Sequence, residues 1–506
     1  MNMAATAVHE YLEHIDPEEI HSGFLAYIAN LSETAKVAPD IARHIVRELA
    51  DQRRNLKLIA SENYCSLATQ LAMGNLLTDK YAEGFPGNRF YEGCENIDEV
   101  ETYACDQAKE LFGAEHAYMQ PHSGADANLI AYWAILSAKV ETPELERLGK
   151  KSVAALTDEE WYALREKLGN QRLLGMDLSS GGHLTHGYRF NVSAKMFESH
   201  SYGVNPETML LDYDEIEARA RAVKPLIFVA GYSAYPRTIN FRRMREIADS
   251  VGAVFMVDMA HFAGLVAGGV FEGDEDPIEH AHVVTSTTHK TLRGPRGGII
   301  LCKKEYAPYV DKGCPLVIGG PLAHIMAAKG VAFAEANTPE FKSYAHNIVA
   351  NAQALASACI DEGMDVVSGG TDNHLLLIDV RSFGLTGRQA AGALMDCHVT
   401  LNKNTIPFDP NGPVSTSGLR VGTPAVTTLG MGLEEMKDIA AVFKLVLSNT
   451  RPGVIASGPN AGKPSKANYL LDEAARAEAR GLVGTLLGGY PVYPELDVDF
   501  LLKHFA

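Results

Sequence analysis

The sequence predicts an α/β protein: a large, mostly parallel sheet covered by helices, followed by a smaller α+β domain. Three observations carry this. Apolar runs such as Pro225–Ala230 and Ala253–Val257 are too uniformly apolar to have a water-facing side, and helical stretches separate them. Small and polar residues gather just past these runs, where open α/β sheets bind ligands. From about residue 337 the strand–helix rhythm changes. A chain of 506 residues exceeds one core. We divide it into an N-terminal arm (1–56), a large domain (57–336) with an insert at 140–172, and a small domain (337–506).

The elements follow in order. Residues 1–38 read as a polar arm with helical patches, outside the main core, of the kind that can wrap a partner subunit. Pro39-Asp40 opens a helix with Ile41, Ile45, Val46 and Leu49 on one face. The segment Lys80–Cys94 has too many Gly and Pro for a regular element and too many aromatics for a plain spacer. A helix over Glu95–Phe112 leads to a short extended piece, then to Pro121-His122-Ser123-Gly124-Ala125 and a helix over Asn128–Lys139. That turn aims backbone N–H groups at an anion, although the P-loop spacing is absent. Thr157-Asp158-Glu159-Glu160 is a capping box opening a peripheral helix with Trp161, Leu164 and Leu168 on one side. Leu174–Leu178 runs into Ser179–Gly187, where two glycines let His183 approach a ligand closely. The strands Pro225–Ala230 and Ala253–Val257 end near Ser233 and at Asp258 and His261. A β-branched run ends at Lys290, and Gly298–Cys302 makes another strand. Strands at Leu375–Val380 and Val399–Leu401 and helices at Gly387–Cys397 and Leu433–Leu447 make up the small domain. Gly453–Lys466 reads as a linker before one last helix.

Composition narrows the class. The apolar (46%) and charged (21%) fractions are those of an ordinary globular protein, and a net charge of −18 argues against a general nucleic-acid binder. The seven cysteines are scattered and form no C-x-x-C pair, so we read them as free thiols rather than a disulfide frame or zinc site. No apolar run has membrane length, and Met1–Asp16 lacks a basic-then-apolar signal pattern. The expected setting is the cytoplasm, with no membrane or nucleic-acid partner.

The chemistry centres on Lys290. Most lysines are solvated, but this one follows a buried run and is flanked by hydroxyls and His289. Imine chemistry needs a lysine that has lost its proton, which burial and nearby positive charge favour. An acid at a neighbouring strand end, Asp258, suits pyridoxal phosphate: the lysine binds the aldehyde and the acid keeps the pyridine nitrogen protonated. A histidine that can stack on the ring and a small-residue turn for the phosphate complete the set. Arg420, from the small domain, can grip a substrate carboxylate bidentately. Together these residues indicate an amino-acid enzyme using this cofactor.

Longer motifs then resemble those of the serine hydroxymethyltransferase family: LIASENY (58–64), KYAEGFPGNRFYEGCE (80–95), QPHSG (120–124), GGHLTHG (181–187), VDMAHFAGLVA (257–267), THKTLRGPRGG (288–298), VSGGTDNHL (367–375), LNKNTIP (401–407) and SGLRVGTPA (417–425). The resemblance runs from about residue 40 to 447, apart from the insert. It implies a fold-type I transferase with a seven-stranded sheet. It also implies pyridoxal 5′-phosphate as cofactor, tetrahydrofolate as co-substrate, and a homodimer, or a tetramer, with shared active sites. The implied reaction interconverts serine and glycine, moving the hydroxymethyl unit to tetrahydrofolate and giving 5,10-methylenetetrahydrofolate. By the same resemblance Lys290 is the Schiff-base lysine, Asp258 the ring-nitrogen partner and His183 the stacking residue. Ser233, His261 and Thr287 contact the ring or its O3′ region, with His289 beside the lysine. Ser123, Gly124 and Ala125 hold the phosphate, completed by Tyr81 and Gly320 of a second subunit. Arg420 and Ser61 bind the amino acid. Glu83 and Tyr91, also from the neighbour, serve proton transfer, and Leu178, Gly182, His183, Leu184 and Asn404 line the folate side.

Some positions depart from the family pattern. Phe90 replaces a tyrosine, Ala125-Asp126 replaces a hydroxyl-bearing pair, Pro315–Gly320 replaces a more glycine-rich loop, and Val414 stands where an aromatic borders folate. They bear on phosphate and folate affinity; the reactive residues remain. A folate-independent enzyme of the same cofactor, such as a threonine aldolase or a racemase, would need the same Lys290, Asp258 and Arg420. Glu83, Leu178 and Asn404 argue for the folate enzyme, and the intact reactive set argues against an idle scaffold.

Overall fold

The computed structural model describes residues 3–506. The chain begins with three helices, α1 (Met3–His14), α2 (Ser22–Val37) and α3 (Pro39–Arg54). They are more than a polar arm. Phe24, Ile28, Leu31, Val46 and Leu49 share an apolar cluster with Leu501 and Phe505 of the same chain. On α3 the buried stripe is Ala42, Val46 and Leu49, whereas Ile41 and Ile45, expected with them, are 55% and 38% exposed. The helix carries two apolar stripes, and periodicity alone does not choose between them.

Helix α4 (Glu95–Phe112) leads through β1 (His116–Tyr118) to α5 (Gly124–Leu136). Helix α5 starts one turn before the expected Asn128, because the Ser123 hydroxyl accepts the Asp126 N–H at 3.2 Å and caps it. Residues 137–169 form a π-helical turn and two helices, the second opened by the Thr157–Glu160 capping box. Leu164 is buried there, but Trp161 is 38% exposed.

Five strands follow: β2 (Arg172–Met176), β3 (Glu198–Tyr202), β4 (Ile227–Gly231), β5 (Val254–Asp258) and β6 (Val283–Thr287); the sixth is β7 (Gly298–Cys302). With β1 they form a seven-stranded sheet in the order β1-β7-β6-β5-β4-β2-β3. Neighbours from β3 to β6 pair in parallel, and β7 runs against both its neighbours. Alternate residues feed two cores. Leu174, Phe228, Phe255 and Val257 pack on one face; Leu173, Ile227, Val254 and Met256 pack on the other. Both faces are apolar because helices cover both.

Beyond the sheet come α6 (Ala323–Ala336) and α7 (Pro339–Asp361). A four-stranded antiparallel sheet then contains Asp365–Val366, β8 (Leu375–Asp379), β9 (Asn402–Asn404) and β10 (Gly418–Gly422), with α8 (Gly387–Asp396) between β8 and β9. Val399–Thr400 instead pairs with Leu56–Lys57. After α9 (Leu433–Ser448) the expected linker proves to be most of a hairpin, β11 (Thr450–Val454) with β12 (Pro464–Leu471). Its Gly-, Pro- and Asn-rich tip hid the flanking strands. Two helices, α10 (Glu473–Gly489) and α11 (Val498–Phe505), close the chain where one was expected. All seven cysteines are free, and among the described residues no helix is long and apolar enough to cross a membrane.

Candidate active site

The carboxyl ends of β2, β4, β5 and β6 open onto a cavity of about 540 Å³ that the β9–β10 side of the small sheet closes from above. That volume lies in the usual range for small-molecule sites. Lys290 and His289 line it from just past β6, His261 from past β5, Ser233 from past β4, and Gly182, His183 and Leu184 from past β2. Ser61, Leu178, Asn404 and Arg420 complete the predicted set found on its walls.

Asp258 lies just behind the cavity wall, its carboxylate within 4.8 Å of a His183 ring nitrogen, and is 7% exposed. Its Oδ2 accepts from Asn128 Nδ2 at 2.8 Å and pairs with His186 Nε2 at 3.0 Å, and its Oδ1 accepts from the Ala260 N–H at 3.0 Å. Burial alone would raise its pKa, but His186, His183 and Asn128 outweigh this and hold it well below the usual carboxylate range. Asn128 is fixed in turn by Thr285, whose hydroxyl donates to its Oδ1 at 2.5 Å. Asp258 is therefore a fixed, ionised carboxylate on a fully satisfied network.

Burial draws Lys290 down from 10.5 to about 8, with Arg420 and Arg296 adding to the effect and Asp258 opposing it. Burial also takes His183 to about 4 and His289 to about 3, so both rings are neutral near pH 7. His261 is pushed well below its ordinary value by burial and the nearby cations; its Nδ1 lies 3.1 Å from Nε2 of His374. Arg420 is clamped by Asn402 Oδ1 (3.0 Å from Nε) and by the Ser233 carbonyl (2.7 Å from Nη1), so one hydrogen bond crosses between the two sheets. Arg420 still lines the cavity.

Three predicted groups sit elsewhere. Thr287 is buried; its hydroxyl donates to the Ala260 carbonyl at 3.1 Å, and its methyl would meet a β-carbon on Gly124 at 2.7 Å. Ser123, Gly124 and Ala125 form the cap and first turn of α5, beside the start of β7. The Ser123 hydroxyl also lies 3.0 Å from an Asp126 carboxylate oxygen, so the departure at Asp126 engages the hydroxyl assigned to phosphate. Tyr81, Glu83, Tyr91 and Gly320 do not line the cavity. They form a separate group: Tyr91 Oη donates to Glu83 at 3.2 Å, the Tyr81 and Tyr91 rings are 5.3 Å apart, and Gly320 abuts Tyr81. Tyr81 and Tyr91 are exposed, 56% and 47%.

The residues fit pyridoxal phosphate. An ionised carboxylate suits a protonated pyridine nitrogen, a lysine of lowered pKa suits an aldehyde, and a capped helix start suits a phosphate dianion. His122 Nε2, next to Ser123, and His289 Nδ1 are buried without protein partners. Residue-level reading missed Asn128, His186, His374, Arg296 and Lys403. His186, His374, Arg296 and Lys403 lay inside the quoted motifs; the signal for Asn128 was an amide directly before the apolar and aromatic run Leu129–Leu136.

Comparison with known proteins agrees. The family model described as "Serine hydroxymethyltransferase" matches residues 34–146 and 160–443. The unmatched break within it, 147–159, is narrower than the insert expected at 140–172. A serine hydroxymethyltransferase of Treponema pallidum is 61% identical over 504 residues, covering 100% of this chain and 87% of the relative. Relatives of the same name from Salinispora tropica (58% over 473 residues; 94% and 98% covered) and Chlamydia trachomatis serovar D (49% over 500; 98% and 100%) are similar over most of their length. With this match over most of its length, and with Lys290 and Arg420 on one cavity and Asp258 just behind its His183 wall, the chain belongs to the serine hydroxymethyltransferase family.

Proposed function

We propose that this chain interconverts serine and glycine, passing the hydroxymethyl unit to tetrahydrofolate, and that its residues divide the work as follows. The observation that carries the reading is the convergence of Lys290 and Arg420 on one cavity, with an ionised Asp258 just behind its His183 wall. When bound, pyridoxal phosphate supplies an electron sink that lets the Cα–Cβ bond of serine break or form. Lys290 holds the cofactor through its amine, and Asp258 keeps a proton on the ring nitrogen. His183, neutral, would stack on the ring, and Ser233 and His261, which line the same cavity, would contact the ring or its O3′ region. Thr287 buttresses the α5 start, and His289 packs beside the lysine. Ser123, Gly124 and Ala125 cradle the phosphate. Arg420, preset by Asn402 and Ser233, takes the substrate carboxylate with Ser61 beside it.

The folate side is Leu178, Gly182, Leu184 and Asn404. Glu83 and Tyr91 stand apart from the cavity of their own chain, so we assign them to a neighbouring site in a homodimer. There Glu83 of the partner subunit moves the proton at the hydroxymethyl oxygen, and Tyr81 and Gly320 of the partner subunit complete the phosphate site. The setting is the cytoplasm, in keeping with seven free thiols. The test is folate dependence: glycine formation from serine should require tetrahydrofolate. Serine cleavage indifferent to folate, with faster cleavage of threonine, would replace this reading with an aldolase.

A further inference from the structure

The reaction as described leaves one buried lysine without a role. Lys329, on α6, is 1% exposed. Its Nζ donates to three backbone carbonyls, Met119 at 2.6 Å, Gly298 at 2.8 Å and Pro121 at 3.1 Å. An ammonium has three donors, and here each has an acceptor. No carboxylate within salt-bridge distance is found among the described residues; burial lowers the Lys329 pKa from 10.5 to about 7, and the three carbonyl acceptors favour the charged form against it. A role in core filling would be served as well by Met or Leu.

The three carbonyls belong to two segments that bracket the α5 cap. Met119 and Pro121 lie between β1 and Ser123; Gly298 is the first residue of β7. The Pro121 carbonyl also accepts the Gly298 N–H at 3.0 Å, and a β-carbon on Gly298 would stand 2.2 Å from the Ser123 carbonyl. Between the two carbonyls, the Gln120 amide donates to the Gly84 carbonyl at 2.7 Å and to Glu101 at 2.8 Å. The approach to Ser123 is thus fixed through both main chain and side chain.

We propose that Lys329 is a positioning residue for the phosphate cradle: its ammonium locks the Met119–Pro121 segment against β7, so that Ser123, Gly124 and Ala125 present their donors in one fixed array. This rests on the reading that those three residues hold the phosphate. The test compares two ligands that differ only in that group, titrating full-length protein stripped of cofactor with pyridoxal phosphate and with pyridoxal. Lys329→Met should weaken pyridoxal phosphate roughly tenfold or more and leave pyridoxal within about twofold. Gly297→Ala is a second, milder variant. Its β-carbon would stand 2.5 Å from Lys329 Cε and 3.1 Å from Nζ, displacing the ammonium without removing it, and the same selective loss is expected. Equal losses for both ligands, or none in folded variants, overturn the proposal. Ser123→Ala separates the two ideas. If it loses phosphate selectivity while the other variants keep it, the positioning role falls alone. If it too keeps its phosphate selectivity, the phosphate reading falls and takes the inference with it.

Discussion

A lysine that attacks an aldehyde must do so as the free base, and the surroundings of Lys290 set when that form exists. Burial, with Arg420 and Arg296 nearby, lowers it from 10.5 to about 8 against the pull of Asp258. The free-base fraction therefore rises with pH, is half at about 8, and levels off only well above it. The rate at which cofactor-free protein captures pyridoxal phosphate should follow that curve, with a midpoint near 8 in stopped-flow absorbance. In Arg420→Ala a positive charge is gone and water enters, so the midpoint should move upward; a downward move would contradict the charge assignment. The same variant should raise the KM for serine by roughly 100-fold, as a charge-assisted bidentate contact is lost, while cofactor affinity changes little. The opposite pattern in steady-state kinetics would move Arg420 away from the substrate.

At the scale of elements, the site depends on how closely strand ends approach. Gly231 ends β4 with φ of +122°, and a β-carbon there would lie 2.1 Å from the Asp258 carbonyl. Gly231→Ala should therefore cost about 2–4 kcal/mol, from both the backbone conformation and the overlap, and lower the melting temperature. An unchanged melting temperature would mean the strand end yields freely. These contacts also mark what was legible in the sequence. The strands β4, β5, β6 and β7 could be read because burial on both faces makes them continuous apolar runs, and their ends located Ser233, Asp258, His261 and Lys290. The reversed direction of β7 could not be read, since an apolar run looks the same either way. The β11–β12 hairpin was hidden by its turn-rich tip. Partners such as His374 for His261 and Lys329 for Gly298 join distant segments of the chain, and no local periodicity reports such pairs.

For the whole molecule, the decisive fact is that one chain does not bring all its predicted site residues together. Lys290 lines the cavity; Glu83 and Tyr91 lie outside it in an exposed group with Tyr81. Leu76, Leu316 and Leu322 are exposed as well, at 84%, 60% and 39%, and the helix start at Leu76 precedes the same loop. In a two-fold dimer one surface patch meets its own copy, so loops can be exchanged reciprocally between sites. The consequence is complementation. Lys290→Ala and Glu83→Gln should each be nearly inactive as pure proteins. Unfolded together and refolded in equal amounts, half of the dimers would be mixed. In each mixed dimer one site would join an intact Lys290 to an intact Glu83 from the other chain. Folate-dependent activity should then recover to about a quarter of the wild-type value. If Glu83 instead served its own chain, every site in the mixture would carry one defect, and refolding would restore nothing.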